Sequence, residues 1–498
     1  MENGIWPRDN PPAASGLDAS ACWQAIHSRD ARFDGQFFAA TVTTRVYCRN
    51  VCPVPFAAAA NVLLFASVEA AESAGFNPCK RCRPQVAPGT PAWRGTSAVV
   101  LRALRMILKG GLNSGGIEKL AARSGLGSRQ LRRLFVQHLG AAPLRIANAH
   151  RTQRALKLIS DSTLPMSQIA FRSGFQSIRE FNHAIRSSTG HSPTKLRAGQ
   201  SASGSRSDRS ALELRLAYTP PYDWESLIAF WGQRAIPGVE FVNGDSYQRT
   251  IEIGGVAGRI MVHSDNSRSC LVVNLELDTF ELLGEIAERI RSMFDLRANP
   301  EQIADQLSRD VTLRGLIKMR PGLRIPGSWN GFESAVLSLL GDRLTTVAHK
   351  RPVAALVRMF GTLVENPIRG LEYLFPRPEV LAFADLSTIG ISDACACAIR
   401  KLSMAAVQGN VGFANSGTID EALIQIKSVC GMNESMAQYI AMRAFSYPDA
   451  FPYPEASFAR RLAASGQQLS STGVLEIAGH WRPWRAYAAM YLTMSTAQ

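Results

Sequence analysis

The 498-residue chain has no uninterrupted run of the ~18 apolar residues needed to span a bilayer. Its first twenty residues lack a basic stretch followed by an apolar one, so neither a membrane protein nor a secreted one is expected. Paired cysteines are missing from most of the chain. Five of the nine (Cys22, Cys270, Cys395, Cys397 and Cys430) form no spacing framework, which argues against a disulfide scaffold and for a reducing, cytoplasmic compartment. His27, His138 and His349 have no partner at ligand spacing and are expected at packing or surface positions. Acidic residues are nearly absent from residues 94–200, where eighteen Lys and Arg face only Glu118, Asp161 and Glu180. The rest of the chain balances, 37 against 37, so the whole net charge of +15 sits in one segment. That is the electrostatic footprint of a nucleic-acid-binding module. The length and a hydrophobic content of 46% leave room for three or four globular domains.

Against this background one pattern stands out. Cys48 and Cys52 are answered by Cys79 and Cys82, a C-x3-C-x26-C-x2-C spacing. Two tight pairs separated by a foldable span can wrap a tetrahedral zinc. On spacing alone a structural zinc knuckle is one reading. Arg45, Arg49, Lys80, Arg81 and Arg83 crowd the cysteines, however, and a positive field favours the nucleophilic thiolate and a DNA-facing surface. Phe33-Asp34-Gly35-Gln36-Phe37-Phe38, Thr43-Thr44-Arg45-Val46-Tyr47-Cys48-Arg49, Asn61-Val62 and Gly75-Phe76-Asn77-Pro78-Cys79-Lys80-Arg81-Cys82 resemble the N-terminal domain of Ada, regulator of the response to alkylated DNA. The resemblance covers roughly residues 20–90. It implies that zinc is held by all four cysteines and that Cys48 accepts, irreversibly, the methyl group of a DNA methylphosphotriester. That family's second acceptor motif, Pro-Cys-His-Arg, is absent; the one Pro-Cys pair is Pro78-Cys79, followed by Lys80.

The basic segment contains a repeat: Leu120-Ala121-Ala122-Arg123-Ser124-Gly125-Leu126-Gly127-Ser128 returns as Ile169-Ala170-Phe171-Arg172-Ser173-Gly174-Phe175-Gln176-Ser177. Apolar residues at helical spacing, a turn glycine and a second amphipathic run spell helix-turn-helix twice, with Ser128 and Ser177 expected to cap the second helices. A helical pattern over residues 145–159 joins the units. The whole resembles the AraC-type DNA-binding domain, which implies recognition helices over residues 128–138 and 177–187 in successive major grooves. Arg129, Gln130, Arg132, Arg133, Gln176, Arg179 and Asn182 are the candidate DNA contacts, phosphate and base alike. A Ser/Gly-rich linker comes next, long enough on the order of 20 Å to let the C-terminal domains act at a distance.

Beyond it, β-like runs at residues 249–253 and 258–262 flank Gly254-Gly255, a hairpin signal, and residues 270–277 form another strand. Residues 280–294 read as an amphipathic helix, and Asn299-Pro300 opens a mainly helical remainder. Pro220-Pro221-Tyr222-Asp223-Trp224, Arg320-Pro321-Gly322-Leu323-Arg324-Ile325-Pro326-Gly327, Phe332-Glu333 and His480-Trp481-Arg482-Pro483-Trp484-Arg485-Ala486-Tyr487-Ala488 resemble 3-methyladenine DNA glycosylase II, of the helix-hairpin-helix superfamily, over residues 214–494. The resemblance implies base flipping into an aromatic pocket, here Phe230, Tyr439 and Trp484. It also implies a phosphate-binding hairpin at Gly431 and Asn433, and a carboxylate at Glu455 that steadies the cationic sugar. Departures are visible. The hairpin proline is Cys430, its second glycine is Asn433, a pocket tryptophan is Ser435, Leu-Gly-Gln has become Leu340-Gly341-Asp342, and the family aspartate is Glu455. Asparagine tolerates left-handed backbone, so Asn433 is expected to preserve the turn.

The expected fold is multidomain and mainly α with α+β parts: an Ada-type zinc domain (residues 1–92), an all-α double helix-turn-helix (93–199), a linker (200–212), a small α/β unit (213–298) and a helix-hairpin-helix glycosylase-like domain (299–498). The expected function is methyl transfer to zinc-bound Cys48, methylation-switched activation of transcription with promoter DNA and RNA polymerase as partners, and 3-methyladenine excision from alkylated double-stranded DNA. The alternative is a transcription factor with a structural zinc and an inert lesion-binding tail.

Overall fold

The structure, a computed structural model, describes residues 17–86, 96–112, 116–162, 164–200, 212–341, 350–411, 413, 419–452 and 470–494. The N-terminal unit opens with helix Ala19–Ser28, whose first turn is capped by the Asp18 carboxylate accepting from the Ala21 amide at 2.7 Å. Four strands come after it: β1 (Phe38–Thr41), β2 (Val46–Arg49), β3 (Val62–Phe65) and β4 (Asn77–Pro78), ordered β3-β1-β2-β4. Alternation along β1 and β3 splits the side chains. Phe38, Ala40 and Phe65 join Tyr47, Ala71 and Phe76 on one face, while Ala39, Val62 and Leu64 pack on the other with Phe33 and Phe37.

The middle unit is all helix. Thr96–Leu108 precedes Gly116–Arg123 and Ser128–Leu139; the 19-residue helix Pro143–Asp161 then leads to Met166–Arg172, Ile178–Thr189 and Pro193–Gln200. The repeat is structural as well as textual. Leu126 donates its amide to Ala121 in the first turn as Phe175 does to Ala170 in the second, and Gly125 and Gly174 both take positive φ. The caps differ from expectation. Ser177 caps its helix, accepting from the Glu180 amide at 3.1 Å, but Ser128 is already inside its own, and the N-cap is Gly127 with no side chain to offer.

The C-terminal half begins with a five-stranded antiparallel sheet. Its strands are β5 (Leu212–Ala217), β6 (Glu240–Asn243), β7 (Ser246–Ile253), β8 (Val256–Asp265) and β9 (Cys270–Leu277), ordered β5-β9-β8-β7-β6. Gly254 and Gly255, at φ +55° and +77°, make the two-residue turn between β7 and β8, where both central positions need left-handed backbone. Helix Trp224–Arg234 packs against the sheet. Helix Leu283–Met293 is shorter than the 280–294 pattern suggested; Asn299 caps the next helix by accepting from Gln302, with Pro300 in its first turn. The remaining helices, among them Gly331–Leu339, Asp393–Val407, Ile419–Cys430 and Glu434–Ala444, enclose a second core with Ile399, Ile426 and Ile440 at its centre.

The units are not held apart. One buried cluster runs from Leu17 and Phe33 through Leu104 and Phe135 to the sheet and on to Leu492. The second helix-turn-helix keeps a core of its own, of Ala155, Ile159, Ile169, Ala170, Phe175, Phe181 and Ile185. The first reader, by contrast, does not work at a distance from the C-terminal half. The Arg215 amide on β5 donates to Gly140 O at 2.8 Å. Arg291 reaches across to donate to the carbonyls of His138 (2.9 Å) and Gln137 (2.7 Å), capping the C-terminus of helix Ser128–Leu139. Among the described residues, no helix is long and apolar enough to cross a membrane.

Candidate functional site

The two cysteine pairs are brought together by strand pairing. Cys48 lies on β2 opposite Ala39, and Cys52 closes a turn by donating its amide to Arg49 O at 3.0 Å. β4 runs parallel to β2, pairing Val46 with Asn77 and Tyr47 with Pro78, and the Cys79 amide donates to Tyr47 O. The four sulfurs all lie within 4.8 Å of one another, and Cys48, Cys52 and Cys79 are buried. Hydrogen bonding with Cys52 and Cys82, then burial, pushes the Cys48 thiol far above its usual range, while hydrogen bonding with Cys48 and Cys82 pulls Cys52 down. Four thiols crowded this way are relieved when a dication takes them as thiolates, and an all-sulfur tetrahedral set is what zinc accepts. The residues present therefore fit the metal.

The surrounding charge is more selective than the sequence suggested. Arg45, Lys80, Arg81 and Arg83 are exposed, with the Arg45 guanidinium 5.6 Å from the centre of the Phe76 ring. Arg49 is buried instead, held in a two-pronged pair by Asp34, with its amide 3.5 Å from Cys82 Sγ. It orders the cysteine loop and adds nothing to the outer positive field.

On the helix-turn-helix pair, Arg129, Gln130, Arg132 and Arg133 are all exposed on helix Ser128–Leu139, and Arg132 lies 3.9 Å from Glu118. Gln176, Arg179 and Asn182 are exposed at the start of helix Ile178–Thr189. The opposite faces bury Leu131, Leu134 and Phe135 in one, Phe181 and Ile185 in the other, so the polar stripes are left to solvent.

Phe230, Tyr439 and Trp484, the aromatics expected to hold a flipped base, are all buried. Phe230 and Tyr439 are buried and share Arg443, whose guanidinium lies 5.1 Å from the Phe230 ring centre and donates to the Tyr439 hydroxyl at 2.8 Å. Arg234 covers Phe230 at 4.0 Å. The adjoining cavity, lined by Trp231, Glu240, Glu333, Ser334 and the two arginines, has room for about one water. Trp484 is buried at another turn, its amide bonded to Trp481 O, and its ring N–H meets no acceptor among the described residues. In the hairpin Gly431 takes the left-handed conformation (φ +63°). Asn433 does not; it is extended at φ −76° and caps the next helix, accepting from the Met436 amide at 3.0 Å. The turn survives because the glycine absorbs the strain and asparagine serves as a cap. Glu455, Asp342 and His349 lie outside the described residues.

Sequence reasoning did not find two buried arginines that join units, Arg32 and Arg291, because their partners are far away in the chain. Arg32 pairs with Asp30 and with Asp295, 263 positions on.

Comparison with known proteins finds matches along the chain. Residues 21–85 match the metal binding domain of Ada, residues 120–199 a helix-turn-helix domain and residues 213–330 the AlkA N-terminal domain. A Mycobacterium tuberculosis protein described as "Probable bifunctional transcriptional activator/DNA repair enzyme AlkA" is 36% identical over 480 residues, 95% of this chain and 96% of its own. DNA-3-methyladenine glycosylase 2 of Escherichia coli is 28% identical over 282 residues, 56% of this chain and 95% of its own. The C-terminal half shares its fold with the 3-methyladenine DNA-glycosylase of Archaeoglobus fulgidus (TM-score 0.50, 22% identity, 56% of this chain and 97% of that one). A four-cysteine zinc site, a double helix-turn-helix and a glycosylase fold in one polypeptide, matched end to end, mean that this chain belongs to the family of bifunctional transcriptional activator and DNA repair enzymes that join an Ada-type domain to an AlkA-type glycosylase.

Proposed function

We propose that the chain repairs DNA methylphosphotriesters by moving the methyl group to Cys48, and that this switches it into a transcriptional activator. The observation that carries the reading is the four-sulfur cluster, three of its cysteines buried, with exposed Arg45, Lys80, Arg81 and Arg83 around it. Cys48, Cys52, Cys79 and Cys82 would hold the zinc, which supplies the positive charge that keeps a thiolate at neutral pH. The Cys48 sulfur lone pair forms the S–C bond to the methyl carbon while the C–O bond breaks. The electron pair leaves on the phosphate, which departs as an ordinary diester anion. The exposed cations draw in the phosphate backbone, and backbone amides such as that of Arg49 hydrogen-bond neighbouring sulfur, here Cys82. With four thiolates around a dication the site carries two net negative charges, and methylation leaves one. Repulsion from DNA falls accordingly, so repair tightens promoter binding by the exposed residues of the two reader helices. RNA polymerase is the partner that activation requires, and the cytoplasm is where this reducing, DNA-directed chemistry takes place. Incubation with methylated DNA followed by intact-mass and peptide mapping tests the reading. One added methyl on Cys48 is expected; a methyl mapped elsewhere, or none, would refute it.

For the C-terminal half the corresponding reading is excision of 3-methyladenine, with Glu455 steadying the cationic sugar and Gly431 and Asn433 at the phosphate-binding hairpin. The other reading is a lesion-binding domain with little catalysis, and one observation bears on both. The Phe230 and Tyr439 faces are closed by Arg234 and Arg443, and the cavity beside them holds about one water, so a flipped base enters only if those cations move. Release of 3-methyladenine from alkylated duplex, measured beside duplex binding, separates the two.

A further inference from the structure

The loop between Cys48 and Cys52 contains Asn50, which is fully buried. Its side-chain amide donates to Asp30 O at 2.7 Å. The Asp30 carboxylate in turn accepts from Arg32 Nε (2.8 Å) and Nη2 (2.6 Å). The third nitrogen of that guanidinium, Nη1, leaves the zinc unit altogether, donating to Asp295 Oδ1 at 2.9 Å and to the Tyr487 hydroxyl. Tyr487 donates to the second oxygen of Asp295, and the same oxygen accepts the Ile325 amide at 3.2 Å. Every side chain in this series is buried; Arg32, Asp30 and Asp295 are 7%, 5% and 3% exposed. Asp295 also sits at φ +51°, in the left-handed region that aspartate tolerates better than most residues. Arg32 thus pairs with a carboxylate on each side of the boundary, and its planar fork is what allows both at once.

The residue next to Arg32 makes the second contact. Phe33 meets Tyr447 edge-to-face at 6.2 Å, and Cys22, on helix Ala19–Ser28, feels the charges of Asp449 and Arg482. Asp449 is itself gripped by Arg485 through two bonds of 2.9 Å, and the Phe451 amide is held by Gln438 at 3.1 Å. The zinc unit therefore leans on residues 447–451.

We propose that Arg32 couples the metal state of the four-cysteine loop to the order of the glycosylase half, through Asn50 and Asp30 on one side and Asp295, Tyr487 and Ile325 on the other. The physical basis is linkage. Zinc binding is folding free energy for a cysteine loop, so losing the metal frees Asn50, loosens the Asp30 carbonyl and weakens the ion pair that Arg32 makes with Asp295. The coupling rests on the zinc reading proposed above and does not require that the glycosylase half be active.

The experiment uses the full-length protein, zinc-loaded or stripped with a chelator under reducing conditions, and reads amide hydrogen exchange. The reporters are Ile325, whose amide is the last bond of the series, Tyr447, bonded to Ala441 O, and Phe451. Phe175, in the separate core of the second reader, is the control. In the wild type, stripping zinc should speed exchange at Ile325 and Tyr447 about tenfold or more, with Phe175 unchanged. In Arg32→Ala exchange at Ile325 should already be fast with zinc bound and should not change when it is removed. Asn50→Ala should keep one zinc yet move Ile325 toward its stripped rate, and Tyr487→Phe should do so in part. If Arg32→Ala does not fold, the last two variants carry the test. A wild type whose Ile325 and Tyr447 ignore zinc would overturn the proposal. So would an Arg32→Ala protein that keeps the full zinc response, because the effect would then be general unfolding of the zinc unit. Base release is assayed separately, so a protein with no glycosylase activity and an intact zinc response sinks the glycosylase reading and leaves the coupling standing.

Discussion

Replacing Arg291 with alanine removes the cap that the glycosylase half places on the first reader helix. Two bonds from a charged donor to the carbonyls of Gln137 and His138 are worth about 3–6 kcal/mol gross. Against this stands the loss of hydration on burial, which lowers the guanidinium from its ordinary 12.5 to about 10 and offsets part of that gain. The net loss on Arg291→Ala is therefore expected at about 1–3 kcal/mol, placed at one interface and not spread through the fold. Arg291→Lys keeps the charge but cannot fork to two carbonyls, so it should recover only part of the loss. Scanning calorimetry is the assay. The wild type should melt the first reader together with the β5–β9 sheet, because they share one core, whereas Arg291→Ala should split off a lower transition. Zinc content and the far-ultraviolet spectrum should not change. If Arg291→Ala melts as the wild type does, within about 0.5 kcal/mol, the helix cap is not what joins the two units and the reasoning fails.

The same interface should loosen in acid. His138 is held below its ordinary 6.5 by burial and by Arg291 and Arg297, and His150 by burial and Arg154, with Glu281 pulling the other way and Arg151 adding a little to the lowering. A depressed histidine takes up protons more readily in the unfolded state, so its contribution is present above pH 6.5 and is lost as the pH falls through and below that value. Melting temperature followed from pH 7.5 to 5.5 should show the loss, and a His138→Gln, His150→Gln variant should flatten it. Purified protein should contain about one zinc, and a Cys79→Ala, Cys82→Ala double variant that kept it all would overturn the ligand assignment. For a working glycosylase, Glu455→Gln should cost on the order of 100-fold in 3-methyladenine release; equal release by the variant would remove Glu455 from the mechanism.

What could be read from the chain beforehand depended on distance along it. The cysteine pairs, the Leu120 and Ile169 repeats, the Gly254-Gly255 turn and the Asn299-Pro300 cap are each decided by residues a few positions apart, and all appear in the fold. Arg49 looked like part of the positive surface because the sequence places it between two cysteines. Only folding shows that Asp34 reaches it and that it is buried. Asn433 was expected to inherit a glycine's backbone, but Gly431 two residues earlier takes the positive φ and frees asparagine for the cap it prefers. Arg32 and Arg291 carried no local signal, since an arginine's sequence neighbours do not tell whether it ends in water, at a carboxylate 263 residues away or at a carbonyl 154 residues away.

The separate core of the second helix-turn-helix has a consequence for how such a protein can meet different promoters. The first reader is bolted to the repair machinery and gives the molecule a fixed point of reference on DNA. The second is packed on the C-terminal part of helix Pro143–Asp161, which gives Ala155 and Ile159 to its seven-residue core, so its position follows the course of that helix. Spacing between half-sites then becomes a property of one helix, and lengthening or stiffening it would retune which operators are tolerated while the chemistry at the other end goes on undisturbed.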